Sequence, residues 1–381
     1  MKTSVDVAIV GGGVNGCSLA YNLARLGCRN VAIYERSYLA AGSTGRCGAG
    51  VRAQWGTQLN CRLADASLKR FEHLEKLLDY PDIEFKQRGY LILAFSEREL
   101  NQFRKNVALH ATLGIPSRVV TPDEARRIVP HLAAPNLVGA TFSPDDGHCN
   151  PFKVTDAYAL AARRLGVEIN THTEVLSMRV EGNRVVGIET SRGPVACGAV
   201  VNTAGPYSAV VAAMAGVKLP VFSQRHQILV TEPVAPMQNP MVISFSLGVY
   251  CQQLPQGSFI MGIGDLREPK GFDTGHSWEF LADMAGRMND LMPVLGRLRI
   301  VRQWSGCYNV TPDAQPILGS AGSPENFWLA CGFSGHGFML APVVGQIMAQ
   351  LILDREPAIN VDRLDLGRFE RGELVLEPSV V

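Results

Sequence analysis

Gly11, Gly13 and Gly16 stand at G-x-G-x-x-G spacing between two kinds of pattern. Before them runs Val5-Asp6-Val7-Ala8-Ile9-Val10, a short apolar stretch that predicts a buried strand. After them Leu19, Ala20, Leu23, Ala24 and Leu26 recur at helical spacing until Gly27 ends the helix. A second apolar run, Val31-Ala32-Ile33-Tyr34, ends in Glu35. Strand, glycine turn, helix, strand and acid in this order constrain the chain more than any other feature. The glycines allow the tight turn and let backbone N–H groups approach a pyrophosphate, whose charge the helix N-terminus favours. Glu35 lies at about the distance at which an acid binds ribose hydroxyls, and its charge argues against a 2′-phosphate and hence against NADP. The motif specifies a dinucleotide without saying which one.

The rest of the chain narrows the choice. A second nucleotide-type signature lies near the far end, so the first and last segments must fold together. Residues 36–57 form a glycine-rich, irregular loop with two arginines, of a composition that can pack over a planar ligand. A helix is predicted over 58–79, a strand over Tyr90–Phe95, and helices over 97–113, 122–128 and Pro151–Leu165. Short strands follow from Val167 to Thr190 around a turn at Glu181-Gly182-Asn183, and Val200–Gly205 reads as another buried strand. Residues 220–300 alternate in a way that suits a largely antiparallel sheet. Phe327–Cys331 is a strand, Gly332–Gly337 a loop and Pro342–Leu353 a helix. The expected fold is α/β with α+β elements. A Rossmann-like nucleotide domain (1–80, 145–215 and 300–381) is interleaved with a mainly antiparallel-sheet substrate domain (81–144 and 216–299).

Composition bounds the class. A length of 381 residues suits two domains. The net charge of +1 gives no electrostatic footprint for nucleic acid. Nine scattered cysteines, odd in number and without a C-x-x-C pair, point to neither a disulfide framework nor a zinc site and fit a reducing compartment. No apolar run reaches the length of a membrane span, and no leader pattern precedes the first strand. The expectation is a cytoplasmic protein.

Over nearly its whole length the sequence resembles the glycine/D-amino-acid oxidase-like flavoprotein family. The carriers are VAIVGGGVNG with Glu35, GSTGR at 42–46, NTAGP at 202–206, TPDAQPILG at 311–319 and GFSGHGF at 332–338. CGAGVRAQWGT at 47–57 and DDGHCNPF at 145–152 are similar to the β subunits of heteromeric sarcosine oxidases and dye-linked L-proline dehydrogenases. The resemblance implies FAD, with its ADP end on Gly11, Gly13, Gly16 and Glu35, and Ser43, Thr44 and Arg46 along the pyrophosphate and flavin. It puts Gly335, His336, Gly337, Phe338 and Met339 under the pyrimidine side of the isoalloxazine. A helix starting near Ala341–Pro342 would aim its positive end at the same place. His336 reads more readily as a loop histidine whose backbone matters more than its ring.

For the substrate, the resemblance implies that Arg52 meets a carboxylate, a surface arginine being the alternative. The family's second cation is replaced by Met339, leaving neutral contacts or Arg225 to share the role. Tyr250 and His226 are expected to line the pocket and orient the amine, although His226 reads equally as a core histidine. Gly306 occupies the position where relatives attach FAD through cysteine, and Cys307 is one residue off, on the opposite face of an extended segment. FAD is therefore expected to be non-covalent. The oxygen-activating lysine of some relatives falls at about Ile260. The implied activity is oxidation of the C–N bond of a small secondary amine or N-substituted amino acid of the sarcosine or proline kind. Electrons would pass to a partner in a hetero-oligomer with an α-type subunit, small iron–sulfur subunits and a second flavin, FMN, at an interface. The alternatives are a stand-alone amine or D-amino-acid oxidase releasing peroxide, and a non-catalytic FAD electron-transfer subunit.

Overall fold

The computed structural model describes residues 1–265 and 267–378. Ser4–Val10 lies between Val31–Tyr34 and Gly193–Asn202 and pairs parallel with both. Arg184–Thr190 and Val175–Glu181 extend the sheet on one side, and Glu168–Asn170 closes the other. The end of Gly193–Asn202 also pairs parallel with Phe327–Cys331, so the first and last strands of the motif share one sheet. Alternation along the first strand supplies two cores: Val7 and Ile9 pack into the cluster with helices Val14–Arg25, Pro151–Arg164 and Gly337–Ile352, and Ala8 and Val10 into the other. A sheet covered on both faces needs such uninterrupted apolar strands.

The second sheet runs Ile300–Val310, Phe222–Thr231, Phe259–Ile263, Val249–Gln253, Met241–Ser244, Tyr90–Ala94, Gly139–Ser143, Arg118–Val120. It is antiparallel except where Met241–Ser244 pairs with Tyr90–Ala94. Because strand side chains alternate, each strand is divided between two environments. Leu91, Leu229, Val249, Cys251 and Met261 pack under helix Trp278–Leu291 through Phe280, Met284, Met288 and Leu291. Tyr90, Ile92, Ile228, Met241, Ile243, Tyr250 and Ile260 form the opposite cluster.

The fold is the expected α/β class, with four local differences. Ile300–Val310 hydrogen-bonds along Phe222–Thr231, so the strand just after the expected boundary at 300 belongs to the second sheet. Helix Trp278–Leu291 sits within the stretch read as sheet; its buried residues fall at helical spacing and Ser277 accepts from the Phe280 N–H as its cap. The helix expected over 58–79 is two helices, Gln58–Phe71 and Leu74–Leu78. The last helix begins at Gly337 and not at Ala341–Pro342. Proline is favoured in a first turn, but here burial of Phe338–Gly345 carries the helix through Pro342, at the loss of one bond to the Phe338 carbonyl.

Asp313, within the TPDAQPILG stretch, has a structural partner. Arg368 Nε and Nη2 donate to its carboxylate at 2.9 and 3.0 Å, and the same guanidinium donates to the carbonyls of Leu364, Asp365 and Gln315. Both side chains are fully buried. Arg368→Ala leaves that buried carboxylate without its cation, with only the backbone N–H groups of Gln315 and Val375 donating to it, and is expected to cost about 3–5 kcal/mol, read as a lowered urea midpoint at unchanged slope. An unchanged midpoint would show that water or a neighbouring donor replaces the guanidinium.

Candidate active site

The cofactor cleft is built where two helices begin. The chain leaves the first strand at Gly11 with φ 115°, and a Cβ there would lie 2.6 Å from the Thr203 carbonyl oxygen. A Cβ on Gly16 would lie 2.1 Å from the Gly11 carbonyl oxygen. Only glycine permits either approach. Helices Val14–Arg25 and Gly337–Ile352 pack against each other: Ser18 Oγ donates to the Ala341 carbonyl at 2.8 Å, and a Cβ on Gly345 would meet Ser18 Oγ at 2.2 Å. Asn15 ties the two starts together by donating from Nδ2 to the Gly337 carbonyl at 3.0 Å. Its Oδ1 is buried and has no donor among the described residues. A cleft runs from Gly11, Gly13 and Glu35 past Thr44 to Tyr308, Gly335 and Phe338. Two positive helix ends, glycine surfaces that admit no Cβ and an acceptor awaiting a donor fit a dinucleotide that carries a pyrophosphate and hydroxyls.

Of the expected cofactor residues, Gly11, Gly13, Glu35, Ser43, Thr44, Gly335, Gly337 and Phe338 line this cleft, several of them engaged with backbone; His336 and Met339 line the adjoining cavity, and Gly16 and Arg46 line neither. Glu35 accepts from the N–H groups of Gly12 at 2.7 Å and Ser37 at 2.8 Å, which fixes its carboxylate at the far end. Thr44 Oγ1 accepts from the Val14 N–H at 3.2 Å, and Ser43 Oγ donates to the Cys307 carbonyl at 2.6 Å. Arg46 donates to the carbonyls of Ala41 and Ser305 and so ties the loop to the second sheet. The His336 N–H donates to the Phe333 carbonyl, while its ring meets Trp55 edge-on with centroids 4.5 Å apart. Burial, with Arg52 nearby, pushes the His336 imidazole down to about 3. Gly306 and Cys307 face opposite ways: a Cβ on Gly306 would touch the Arg46 stem at 3.0 Å, and the Cys307 thiol points to the carbonyls of Gly271 and Asp273.

A second cavity meets the cleft at Cys47, Tyr308, Gly335 and Phe338. Strand parity delivers Tyr90, Met241, Ile243 and Tyr250 to it from the second sheet, and Arg52, His336 and Met339 come from the other side. The Tyr250 ring lies over Gly262, where a Cβ would be 2.4 Å away. Burial raises the phenols of Tyr90 and Tyr250 well above their ordinary range. Arg52 is 3% exposed and is the one charged side chain among the described residues that line the cavity. Its guanidinium lies 3.9 Å from the Trp55 ring centroid. Its loop is held by Asp146, which accepts from Ala53 N–H at 2.8 Å and Gln54 Nε2 at 2.9 Å.

His226 stands one layer back. Its ring is parallel to that of Tyr308 with centroids 4.4 Å apart, and its Nε2 is 3.3 Å from Tyr250 Oη. It orders the two tyrosines without lining the cavity. Arg225, one residue away, faces the other side of the sheet and pairs with Glu268 and Asp273, each at 2.7 Å. It cannot share the carboxylate role entertained for it. Ile260 is buried in the apolar cluster beside Tyr250. Asn15, Trp55, Tyr90, Tyr308 and Asp146 were not singled out from the sequence. The two-residue spacing that puts Tyr90 with Ile92 and Tyr308 with Gly306 on one face of each strand carried a signal, but only the pairing order says which face is the site.

Burial holds three imidazoles low, His336 at about 3 and His148 and His226 at about 4, and lowers His110 as well. The unfolded chain takes up these protons near pH 6.5, so their contribution is complete above that pH and is lost as pH falls toward 4. Asp146, raised by burial to about 7, runs the other way across the same window. The three imidazoles outnumber it, and stability is expected to fall by roughly 2–3 kcal/mol per pH unit below pH 6. Chemical denaturation of the holoprotein at pH 7, 6 and 5 checks this; a midpoint independent of pH would mean that these histidines are protonated in the fold.

Residues 6–351 match the profile of the family described as FAD dependent oxidoreductase. The sarcosine oxidase subunit beta of Rhodobacter capsulatus is 31% identical over 99% of this chain and 91% of its own length. Among solved structures, an L-proline dehydrogenase from P. horikoshii superposes with a TM-score of 0.93 at 34% identity, covering 98% of this chain and all of that one. A glycine oxidase from Geobacillus kaustophilus gives a TM-score of 0.88 at 27% identity, covering 96% and 99%. The cleft with its two helix starts and the matched span agree, and the chain belongs to the FAD-dependent oxidoreductase family.

Proposed function

We propose that this chain oxidises the C–N bond of a small amine-bearing carboxylic acid of the sarcosine or proline kind, as a dehydrogenase. The observation that carries this reading is the second cavity: lined largely by apolar and aromatic side chains, joined to the cofactor cleft, and provided, among the described residues, with a single cation, Arg52. A forked guanidinium suits a carboxylate. Held there, the substrate would have its amine side against Tyr250, Met241 and Ile243. Such walls disfavour an ammonium and favour the neutral amine. FAD, when bound, supplies the hydride acceptor. The neighbouring imidazoles are held neutral and need not act as bases, because a neutral amine can give up a hydride without a separate nucleophile. Relatives named for sarcosine and proline support the substrate class.

The dehydrogenase reading rests on the resemblance, which puts the oxygen-activating lysine of some relatives at about Ile260; here that side chain is apolar, is buried in the cluster with Tyr250 and would offer developing negative charge on oxygen no stabilisation. Relatives named as subunits support an electron exit through a partner chain. The iron–sulfur subunits and the interface FMN that the resemblance implies belong to this same reading. No helix among the described residues is long and apolar enough to cross a membrane.

Under anaerobic conditions L-proline, sarcosine or a related N-substituted amino acid is expected to bleach the flavin, and air to reoxidise it much more slowly. Stopped-flow mixing with oxygenated buffer measures both limbs. Fast reoxidation with stoichiometric peroxide would move the reading to a stand-alone oxidase, and no bleaching by any such amine would move it to an electron-transfer subunit. Arg52→Ala is expected to raise the half-saturating substrate concentration about 10–150-fold, the loss of a charge-assisted contact worth ~1.5–3 kcal/mol.

The facing of Gly306 and Cys307 supports non-covalent FAD. Acid precipitation is expected to leave the yellow chromophore in the supernatant. Flavin fluorescence on the denatured band would contradict it.

A further inference from the structure

The loop that presents Arg52 is fastened at several places. Asp146 holds Ala53 and Gln54, Gln54 Nε2 donates to the Tyr90 carbonyl, and His110 Nε2 meets the Trp55 carbonyl at 2.6 Å. A further fastening comes from a segment far along the sequence. Glu377, 8% exposed, accepts from the Gly56 N–H at 2.7 Å, Thr57 Oγ1 at 2.9 Å and Asn60 Nδ2 at 2.8 Å. It is a carboxylate at the start of helix Gln58–Phe71, where the helix dipole favours an anion. The Thr57 hydroxyl, spent on Glu377, does not cap that helix itself.

Shape as well as charge fits this docking. A Cβ on Gly56 would lie 2.7 Å from Glu377 Oε1 and 2.2 Å from Pro378 Cγ, so the segment seats against the loop only because residue 56 is glycine. Glu377 is anchored from behind: the Val375 N–H donates to Asp313, and the Glu373 N–H to the Arg368 carbonyl. On the other side of Gly56 stands Trp55, 2% exposed, whose ring carries the Arg52 guanidinium and whose Nε1 donates to the Arg52 carbonyl at 3.2 Å. The negative charge of Glu377 also opposes the effect of burial on Arg52.

We propose that Glu377 is a positioning residue for substrate binding: by gripping Gly56, Thr57 and Asn60 it fixes the loop on which Trp55 and Arg52 stand, and so sets Arg52 for the substrate carboxylate. This rests on the reading of Arg52 given above. Glu377 is not catalytic, since it lines neither the cleft nor the second cavity.

The test uses the full-length holoprotein and pyrrole-2-carboxylate, a planar carboxylate that is not oxidised, with binding read as a perturbation of the flavin spectrum. Arg52→Ala is expected to weaken binding at least 10-fold. Glu377→Ala should weaken it about 5–10-fold, with FAD content unchanged and with the half-saturating concentration of an oxidisable amine acid rising more than the limiting rate of flavin reduction falls. Arg52→Ala/Glu377→Ala should bind no more weakly than Arg52→Ala, because the second residue acts through the first. Glu377→Gln should recover most of the affinity, since the Thr57 hydroxyl and the Asn60 amide can each reverse their roles. If Glu377→Ala does not fold, Gly56→Ala, which pushes the segment off, should show the same loss. Wild-type affinity in whichever of these two variants folds overturns the proposal while leaving the Arg52 reading intact. So does a double variant whose losses multiply in full. Arg52→Ala binding like wild type, or no binding by the unaltered protein, overturns the Arg52 reading and the proposal with it.

Discussion

The site depends on one close contact, that of helix Val14–Arg25 with helix Gly337–Ile352. Gly345 has no room for a Cβ beside Ser18, and Ser18 donates to the Ala341 carbonyl in the same place. Because the helices touch there, their starts lie side by side and Asn15 can bridge them. Each helix start presents roughly half a positive charge and N–H groups that the helix itself does not use. Together they form a field for a charged cofactor that neither segment could make alone. Phe327–Cys331, hydrogen-bonded beside Gly193–Asn202, delivers the second helix to this position.

The second sheet solves a different problem, that of closing a pocket with apolar walls over a polar cofactor. It does so by parity. Tyr90, Met241, Ile243, Tyr250 and Tyr308 reach the cavity because each faces the same side of its strand. Their neighbours Leu91, Val242 and Cys251 pack under the helix on the other side. Arg225 and His226 show how sharp the division is. One pairs with Glu268 on the outer face, and the next stacks on Tyr308 behind the site. A slip of one residue would exchange them.

The nucleotide end was legible in the sequence because its physics is local. Gly11, Gly16 and Glu35 follow from a strand, a turn and a helix contiguous in the chain. The parity argument at Gly306 and Cys307 also rested on neighbours, and their observed facing is as expected. What could not be read depends on distant segments. Nothing in Tyr90 or Asp146 marks it as part of a site until Tyr90–Ala94 is known to pair with Met241–Ser244 and Asp146 with the loop at 53–54. Pro342 misled because a local preference for the first turn was overridden by burial of the whole segment. Ile300–Val310 was assigned to the wrong side of a boundary because its partner strand lies some seventy positions earlier.

The charge arrangement follows from the same burial. Burial makes any charge expensive, so the surrounding titratable groups are pushed to neutrality: imidazoles down, phenols up. Arg52 is the exception because a guanidinium keeps its proton even when burial lowers its affinity for it. Among the described residues this leaves one cation in an otherwise neutral pocket, beside the cofactor cleft. On the function proposed above, an anionic group on the substrate would have a single place to go and its amine only neutral surfaces to meet. The selectivity of such a pocket would come as much from what burial has silenced as from the arginine that remains.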